Sequence, residues 1–229
     1  LMSYLKNIIL IRVDGHKNIG MGHLYRMVTL AKYIKSNYDY EIIFLTRNNR
    51  ASLDFISKNK FKYYPIRFNL SSKKEIEIIS QVIRIERPKA IILDILRNCH
   101  KKSFINKLKV SIDGVIVVIN GTHEKKIIEV DIVINPSIGQ DEKYYQHLKQ
   151  TKYYLGPDYM ILSPKFSEKS SNKKIKIKPE KVLVCMGGSD HQNLTFFVLK
   201  AIDKSKLDFC CDVILSSAFF DRKYIENQV

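Results

Sequence analysis

A nearly continuous apolar run close to the start of the chain limits the available folds more than any other feature. Residues 7–14, NIILIRVD, are rich in β-branched side chains. Such a run is typical of a strand that is buried on both faces in a parallel sheet. Apolar residues then recur at helical spacing, at Leu24, Met27, Val28, Ala31 and Ile34. The sequence therefore predicts a buried strand followed by a helix that begins near Gly22.

The same alternation of strand and helix continues along the chain. Further strand-like runs lie at residues 41–46, 61–66, 89–95, 114–120 and 131–136, and helical patterns lie at residues 53–57, 72–86 and 101–110. This alternation with short connections predicts a doubly wound α/β domain of Rossmann type, which we assign to residues 1–164. We expect its sheet to contain parallel, central strands that end at Asp14, Thr46, Ile95 and Asn120.

A lysine-rich segment, residues 165–180, follows this domain. From Lys165 to Lys181 the sequence has seven lysines and two glutamates, so we interpret the segment as an exposed, mobile linker. Residues 181–229 then repeat the pattern of strand, glycine turn and helix. About fifty residues are too few to close a second Rossmann sheet, since a compact domain mostly needs about 100. We therefore expect two Rossmann-like domains, of which the second is incomplete at its C-terminus.

Composition excludes several classes of protein. The formal net charge of +16 invites a nucleic-acid interpretation, but the chain has no Arg-rich helix and no Trp. We therefore favour a phosphorylated small molecule over nucleic acid, and leave contact with a membrane surface or an anionic glycan open. The four cysteines form no C-x-x-C pair and no His/Cys spacing typical of a metal site, which favours a reducing cytoplasm. The N-terminal apolar run is too short to span a membrane and has no cleavage site, so we interpret it as a strand.

The glycine loop after the first strand is the best candidate for a catalytic site. Residues 19–23, IGMGH, place His23 in the first turn of a helix at the carboxyl end of a strand, where ligands of open α/β sheets bind. A helix N-terminus disfavours imidazolium, so we expect His23 to remain neutral and able to act as a general base. Capping of its own helix by His23 is the alternative. We expect His16 to be an ordinary loop residue and Asp14 to brace the loop through its backbone amides.

A second glycine loop, residues 186–190, MGGSD, also lies between a strand and a helix. Its amides can face an anion at the positive end of the helix dipole, while Gly187 and Gly188 let the ligand approach the backbone closely. The loop is neither a G-x-G-x-x-G nor a Walker sequence, which disfavours nicotinamide and ATP as ligands. A tight turn that needs glycine is the alternative explanation.

Three stretches resemble one protein family, in order along nearly the whole chain. They are residues 12–34, RVDGHKNIGMGHLYRMVTLAKYI, residues 153–166, YYLGPDYMILSPKF, and residues 184–195, VCMGGSDHQNLT. The chain resembles the UDP-sugar hydrolases of pseudaminic acid biosynthesis and the related spore-coat polysaccharide proteins, a branch of the glycosyltransferase-B superfamily. The most specific element is the string R-x-D-x(5)-G-x-G-H-x-x-R, formed here by Arg12, Asp14, Gly20, Gly22, His23 and Arg26.

The resemblance implies two Rossmann-like domains, with the sugar facing the first domain and the nucleotide held mainly by the second. His23 would activate the water that attacks the anomeric carbon, and UDP would leave without a metal or other cofactor. The implied substrate is a UDP-diacetamido-trideoxyhexose of the altropyranose series. The implied substrate-binding residues are Asp14, Gly20, Met21, Gly22 and Arg26, and the implied nucleotide-binding residues are Gly187, Gly188, Ser189 and Asp190.

The sequence departs from the hydrolase pattern after two strands. The hydrolases usually have D-x-Y after the fourth strand, where this chain has residues 94–96, DIL. They usually have I-D-D after the fifth strand, where this chain has residues 119–121, ING. Three functions therefore stay open: a nucleotide-sugar hydrolase with water as acceptor, a glycosyltransferase with another acceptor, and a non-catalytic binder of a sugar nucleotide.

Overall fold

The computed structural model describes residues 7–16, 19–95, 101–119, 129–169, 178, 180–187, 190, 192–205 and 209–215. The chain divides into two compact units, the first with residues 1–15 and 23–163 and the second with residues 16–22 and 164–229. More than half of the predicted linker, residues 165–180, lies outside the described residues, and so do Leu96, Asn120, Gly121, Gly188 and Ser189. The domain boundaries given above therefore stay predictions.

The first unit is built on a seven-stranded parallel sheet with the strand order β3-β2-β1-β4-β5-β6-β7. Its strands are β1 (Ile8–Val13), β2 (Glu41–Arg47), β3 (Lys62–Ile66), β4 (Ala90–Asp94), β5 (Val115–Ile119), β6 (Ile132–Asn135) and β7 (Lys152–Leu155). Its α-helices are α1 (Gly22–Asn37), α2 (Arg50–Lys58), α3 (Ser72–Glu86) and α4 (Lys102–Ser111). The predicted α/β fold with parallel central strands is confirmed. The sequence pattern does not predict β7, because this short edge strand alternates exposed and half-buried residues.

Helices cover both faces of this sheet, because successive side chains of a strand point to opposite faces. One core cluster joins strand residues Leu10, Ile43, Leu45, Ile91 and Leu93 to Ile76 and Ile79 of α3 and to Phe104 and Leu108 of α4. The alternate strand residues Ile11, Phe44 and Ile92 are buried outside that cluster, together with Leu24, Met27 and Ala31 of α1 and Ile56 of α2. Helices α3 and α4 therefore cover one face, and α1 and α2 cover the other.

The strand order changes direction between β1 and β4. The chain moves outward from β1 to β3, and α3 then returns it to the opposite side of β1, where β4 pairs with β1. Val13 is the register partner of Asp94, so the carboxyl ends of these two strands lie side by side. A doubly wound sheet binds its ligands at this switch point, because the loops after the two strands diverge there and leave a crevice.

The second unit contains a smaller parallel arrangement. Strands β8 (Lys181–Val184) and β9 (Cys210–Val213) pair in parallel, with helix α5 (Leu194–Ser205) between them in the sequence. This order of strand, helix and strand is the one that the sequence predicts for the start of a Rossmann-like domain. Among the residues that the structure describes, no helix is long and apolar enough to cross a membrane.

A buried ion cluster ties the carboxyl ends of β1 and β2 to helix α3. Arg12, only 1% exposed, donates to Glu75 Oε1 from Nε at 3.0 Å and from Nη2 at 2.8 Å. Its Nη1 and Nη2 donate to Asp14 Oδ1 and Oδ2 at 2.5 and 2.8 Å. Arg47 Nη2 donates to Glu75 Oε2 at 3.0 Å, and the Arg47 backbone amide donates to Asp14 Oδ1 at 3.0 Å. Two guanidinium groups thus face two carboxylates.

The pKa values of the cluster follow from the balance between burial and pairing. Burial lowers the pKa of the Arg12 guanidinium, but the Asp14 and Glu75 carboxylates outweigh burial and raise this pKa above its ordinary value. Burial raises the pKa of the Asp14 carboxyl, but Arg12 and Arg47 outweigh burial and hold this pKa below its ordinary value. The folded chain therefore favours the charged form of both groups.

Removal of one buried carboxylate should destabilise the fold strongly, because it leaves Arg12 and Arg47 with a single counter-charge. We expect Glu75→Gln to lower the free energy of unfolding by about 3 kcal/mol, measured by urea denaturation. The matched control is Glu77→Gln on the same helix, where the glutamate is 46% exposed and lies 3.8 Å from Lys107 Nζ. It should cost less than about 1 kcal/mol. Equal losses in the two variants would contradict a special role for the cluster.

The Asp14 carboxylate should make the fold sensitive to acid. Because its folded pKa is lowered, its stabilisation is fully present above the unfolded pKa of about 3.9 and is lost as the pH falls through the folded value. The free energy of unfolding should therefore decrease at pH values below about 4. The Asp14→Asn variant should lack the part of this decrease that protonation of the Asp14 carboxylate causes. The control Asp54→Asn, at a carboxylate that is 58% exposed, should keep the wild-type curve. Parallel curves for wild type and Asp14→Asn below pH 4 would show that the prediction is wrong.

Candidate active site

The switch point of the sheet brings together three side chains from two distant parts of the sequence. His23 is the second residue of α1, and Arg26 lies one helical turn later on the same side of the helix. Asp94 is the last residue of β4, next to the end of β1. All three belong to the first compact unit. The carboxyl edge predicted to hold the site therefore carries a cluster of histidine, arginine and aspartate.

Asp94 is the centre of this cluster. His23 Nδ1 lies 2.7 Å from Asp94 Oδ1. Arg26 Nε donates to Asp94 Oδ2 at 2.6 Å, and Arg26 Nη2 donates to Oδ1. The Asp94 side chain is 1% exposed, whereas those of His23 and Arg26 are 24% and 25% exposed. A buried carboxylate thus supports a histidine and an arginine that remain accessible to a ligand.

The partners of Asp94 define the proton position on the His23 ring. A carboxylate that accepts two hydrogen bonds from a guanidinium group is in its ionised form, which has no proton to donate. The bond between Asp94 and His23 therefore requires a proton on Nδ1, and Nε2 of the neutral ring keeps its lone pair. Arg26 Nη2 also lies 2.9 Å from Nδ1, but a protonated Nδ1 cannot accept from it. Nε2 is the atom that can take a proton.

The glycine loop before His23 contains one conformational glycine. Gly20 has a φ of +76°, which a residue with a side chain rarely adopts, and it forms an antiparallel bridge with His16. Ile19 N donates to His16 O at 3.1 Å, which closes the turn. Gly22 has no positive φ, and among the described residues no atom lies within 4 Å of a Cβ built at Gly20 or Gly22. The predicted approach of a ligand to this loop and the substrate-binding roles of Gly20, Met21 and Gly22 stay predictions.

Asp14 belongs to the buried ion cluster described above. Its side chain is 12% exposed and accepts hydrogen bonds from Arg12 and from the backbone amide of Arg47. The amide partner that the structure gives it therefore lies in β2, whereas the sequence analysis expected amides of the loop. Asp14 thus fixes the end of β1, from which the loop departs. A direct contact between Asp14 and a substrate stays a prediction.

The second glycine loop combines a tight turn with a capped helix. Gly187 has a φ of +77°, so its conformation needs glycine. Asp190 accepts hydrogen bonds from the amides of Leu194 and Thr195, both at 2.8 Å, at the start of α5. Gly188 and Ser189 lie outside the described residues. The predicted contact between this loop and a diphosphate stays a prediction.

Sequence reasoning did not assign a role to Asp94. It treated residues 94–96 only as a departure from a family pattern, although Asp94 is the polar end of a predicted central strand. That position is a usable signal, because polar residues at the carboxyl ends of central parallel strands line the ligand crevice. No group of three or more His, Cys, Asp or Glu side chains within the described residues is arranged to hold a metal ion.

Comparison with known proteins gives two relatives in sequence. No protein-family model matches the chain. The chain is 31% identical over 191 residues to the spore coat polysaccharide biosynthesis protein SpsG of Bacillus subtilis. This alignment covers 83% of the chain and 53% of SpsG. It is 29% identical over 221 residues to an uncharacterized protein of Methanocaldococcus jannaschii. That alignment covers 92% of the chain and 43% of the relative. The chain spans about half the length of the curated relatives it matches.

Solved structures identify the fold. MurG of Acinetobacter baumannii matches with a TM-score of 0.59 at 10% identity, over 97% of this chain and 63% of MurG. The fold is of glycosyltransferase-B type. The lipopolysaccharide outer core galactosyltransferase WaaB matches with a TM-score of 0.54 at 16% identity, over 92% of this chain and 61% of WaaB. S. aureus MnaA, in a co-structure with UDP, matches with a TM-score of 0.52 at 12% identity, over 96% of this chain and 64% of MnaA.

The proton position on His23 can be tested directly. We expect long-range ¹H–¹⁵N correlation spectra to show the neutral ring protonated on Nδ1, because the Asp94 carboxylate accepts from that atom. Asp94→Asn should remove this preference, since an amide can donate to the ring as well as accept from it. The ring signals of His16 and His147 are the internal controls and should not change. An unprotonated Nδ1 in the wild-type chain would make Arg26 its hydrogen-bond donor and contradict the prediction.

Proposed function

We propose that the chain is part of an enzyme that hydrolyses a nucleotide sugar and releases UDP, with His23 as the general base. The observation that carries this proposal is the hydrogen bond between His23 Nδ1 and the buried Asp94 carboxylate, at the switch point of the sheet. It leaves Nε2 as a proton acceptor on a partly exposed ring. A general base must have its acceptor atom accessible and its ring held in place, and this arrangement meets both needs.

The proposed reaction is a displacement at the anomeric carbon. Nε2 of His23 takes a proton from a water molecule as the water oxygen bonds to that carbon. The bond from the anomeric carbon to the phosphate oxygen breaks, and its electron pair leaves with UDP. Asp94 keeps the proton on Nδ1 and stabilises the imidazolium that forms, as the aspartate of a serine protease triad does for its histidine. The products are UDP and the free sugar.

Arg26 has a supporting electrostatic role in this proposal. A carboxylate that is 1% exposed needs compensation for its lost hydration, and the bidentate contact of Arg26 supplies that compensation. The same contact orients the carboxylate toward the His23 ring. Because the Arg26 side chain is 25% exposed, its guanidinium group can also reach an anionic substrate. This supports the substrate-binding role that the resemblance implies for Arg26.

The proposed substrate class rests on the relatives. SpsG is named for spore coat polysaccharide biosynthesis, and the MnaA structure holds UDP. We propose a UDP-sugar, in the first instance a UDP-diacetamido-trideoxyhexose, as the substrate of a cytoplasmic step in surface polysaccharide or nonulosonate biosynthesis. The loop that contains Gly187 and Asp190 would contribute to nucleotide binding. No cofactor is part of the proposed reaction.

A glycosyltransferase is the second candidate, because MurG-like and WaaB-like folds match the chain as well as the MnaA fold does. In that reaction His23 would deprotonate an acceptor hydroxyl group in place of water.

Hydrolysis predicts that UDP is released without any acceptor and that one ¹⁸O atom from labelled water enters the sugar at its anomeric carbon. Mass spectrometry of the released sugar measures this. UDP release that depends on an added acceptor would favour the transferase.

The assignment of His23 predicts a large and selective loss of turnover. A placed general base typically contributes a hundredfold to ten-thousandfold in rate. We expect His23→Asn to lower kcat for UDP release at least about a hundredfold, while UDP affinity changes by no more than a few fold. Coupled assay of UDP and calorimetric titration with UDP measure the two quantities.

The matched control is His16→Asn, at the histidine of the same loop. It should leave both kcat and UDP affinity close to wild type, because the Asp94 carboxylate that orients the proposed base contacts His23 and Arg26. Wild-type turnover in His23→Asn would show that His23 is not the base. Loss of turnover in His16→Asn alone would move the assignment to the other histidine.

A further inference from the structure

Helices α3 and α4 present a strongly positive outer surface, which we call the basic face. Seven cationic residues of these helices and of the Lys101 cap are exposed: Lys73, Lys74, Arg84, Lys101, Lys102, Lys107 and Lys109. Within residues 72–86 and 101–111, Glu77 is the exposed carboxylate, because Glu75 is buried in the ion cluster and Glu86 pairs with Lys62 at 2.7 Å. The charge of +16 is therefore not spread evenly over the chain.

Three contacts fix these helices side by side and make their outer surfaces continuous. Lys101 Nζ donates to Ser72 Oγ at 2.7 Å at the two N-terminal ends. Lys107 Nζ lies 3.8 Å from Glu77 Oε1 in the middle. Ser80 Oγ and Ser111 Oγ lie 2.8 Å apart toward the C-terminal ends. The cations of the two helices thus lie on one surface of two parallel helices.

Two aliphatic side chains add an apolar component to the basic face. Ile85 is 70% exposed and Val110 is 89% exposed, each next to a cation in the last turn of its helix. The aromatic residue within these two segments, Phe104, is buried at 1% exposure. Base stacking on exposed aromatic side chains is a main source of affinity for single-stranded nucleic acid, so this surface lacks that means of binding.

We propose that the basic face docks on the surface of an anionic lipid bilayer. A row of lysines complements the negative surface potential of anionic headgroups, and each lysine near such a surface contributes about fivefold in affinity. The exposed Ile85 and Val110 side chains enter the headgroup boundary and remove apolar surface from water. This inference does not depend on the proposed reaction.

The opposite face of the sheet provides the comparison. The exposed charged residues of α1 and α2 are Lys32, Lys35, Arg50, Asp54 and Lys58, so the cations are fewer and Asp54 pairs with Arg50 at 3.8 Å. Tyr25 and Tyr33 are also exposed on α1. Charge reversal of three cations on either face changes the net charge of the chain equally. Comparison of variants on the two faces therefore distinguishes binding through a defined docking surface from a general effect of net charge.

The test is co-sedimentation of the 229-residue chain with vesicles of about equal parts phosphatidylglycerol and phosphatidylcholine. We expect binding to these vesicles and not to vesicles of phosphatidylcholine alone. The variant Lys102→Glu/Lys107→Glu/Lys109→Glu should bind at least about a hundredfold more weakly. The control Lys32→Glu/Arg50→Glu/Lys58→Glu should keep most of the affinity. Far-UV circular dichroism should show that both variants fold.

Four outcomes would overturn the proposal. Equal losses in the two triple variants would mean that net charge alone drives binding. Equal binding of the wild-type chain to neutral vesicles, or no binding to anionic ones, would exclude an anionic bilayer as the partner. Tighter binding to a mixed-sequence RNA than to vesicles, lost in the Lys102, Lys107 and Lys109 variant, would assign the face to nucleic acid.

The aliphatic residues give an independent measurement. Val110→Ser keeps every charge and removes exposed apolar surface, so it should weaken vesicle binding several fold while leaving its salt dependence unchanged. Val115→Ser is the control, since Val115 is 39% exposed and lies in β5, outside the basic face. An unchanged affinity for Val110→Ser would reduce the interaction to charge alone and overturn the part of the proposal that concerns insertion.

Discussion

Arg12 lies buried in β1, an inner strand of the sheet, and the surrounding structure must supply its counter-charges. A guanidinium group that loses its hydration is tolerated only where carboxylates and hydrogen-bond acceptors replace water. Asp14 follows it in the same chain segment, whereas Glu75 comes from a helix 63 residues away. The requirement of one buried cation thus connects β1, β2 and α3 at the edge of the sheet where the candidate site lies.

This connection gives the glycine loop after β1 a fixed starting point. Asp14 is held by two arginines, and the carbonyl group of the next residue, Gly15, accepts a hydrogen bond from Ser52 Oγ of α2. The loop therefore leaves the sheet from an anchored position and ends in the first turn of α1. Asp14 and Arg26 both belong to the string R-x-D-x(5)-G-x-G-H-x-x-R, and each is held by an oppositely charged side chain. Asp14 is paired with Arg12, and Arg26 is paired with Asp94. A substrate that contacts either residue has to share it with an existing ion pair.

Much of the fold could be predicted from the sequence, because the signals that define it are local. The continuous apolar runs that end at Asp14, Thr46 and Ile95 predicted parallel central strands, and the helical spacing around Met27 predicted α1. Strand β7 could not be predicted in this way, since an edge strand is half exposed and lacks such a run. His23 could be singled out because its glycine loop is local too. Asp94 could have been noted as a crevice residue from its place at the end of a predicted central strand. Its pairing with His23, and that of Glu75 with Arg12, could not be predicted, because only the packing of distant elements creates these contacts.

The pairing of β1 with β4 has a consequence for the growing chain. His23 and Arg26 belong to the first strand–helix unit, whereas Asp94 arrives 71 residues after His23, beyond β2, β3 and α3. During synthesis the histidine exists for several seconds without its carboxylate, given an elongation rate of about 5–20 residues per second. The ring is therefore unoriented until the return crossing of α3 places β4 beside β1. The orientation of the His23 ring is in this sense a late product of folding, because it requires that the two halves of the sheet have joined.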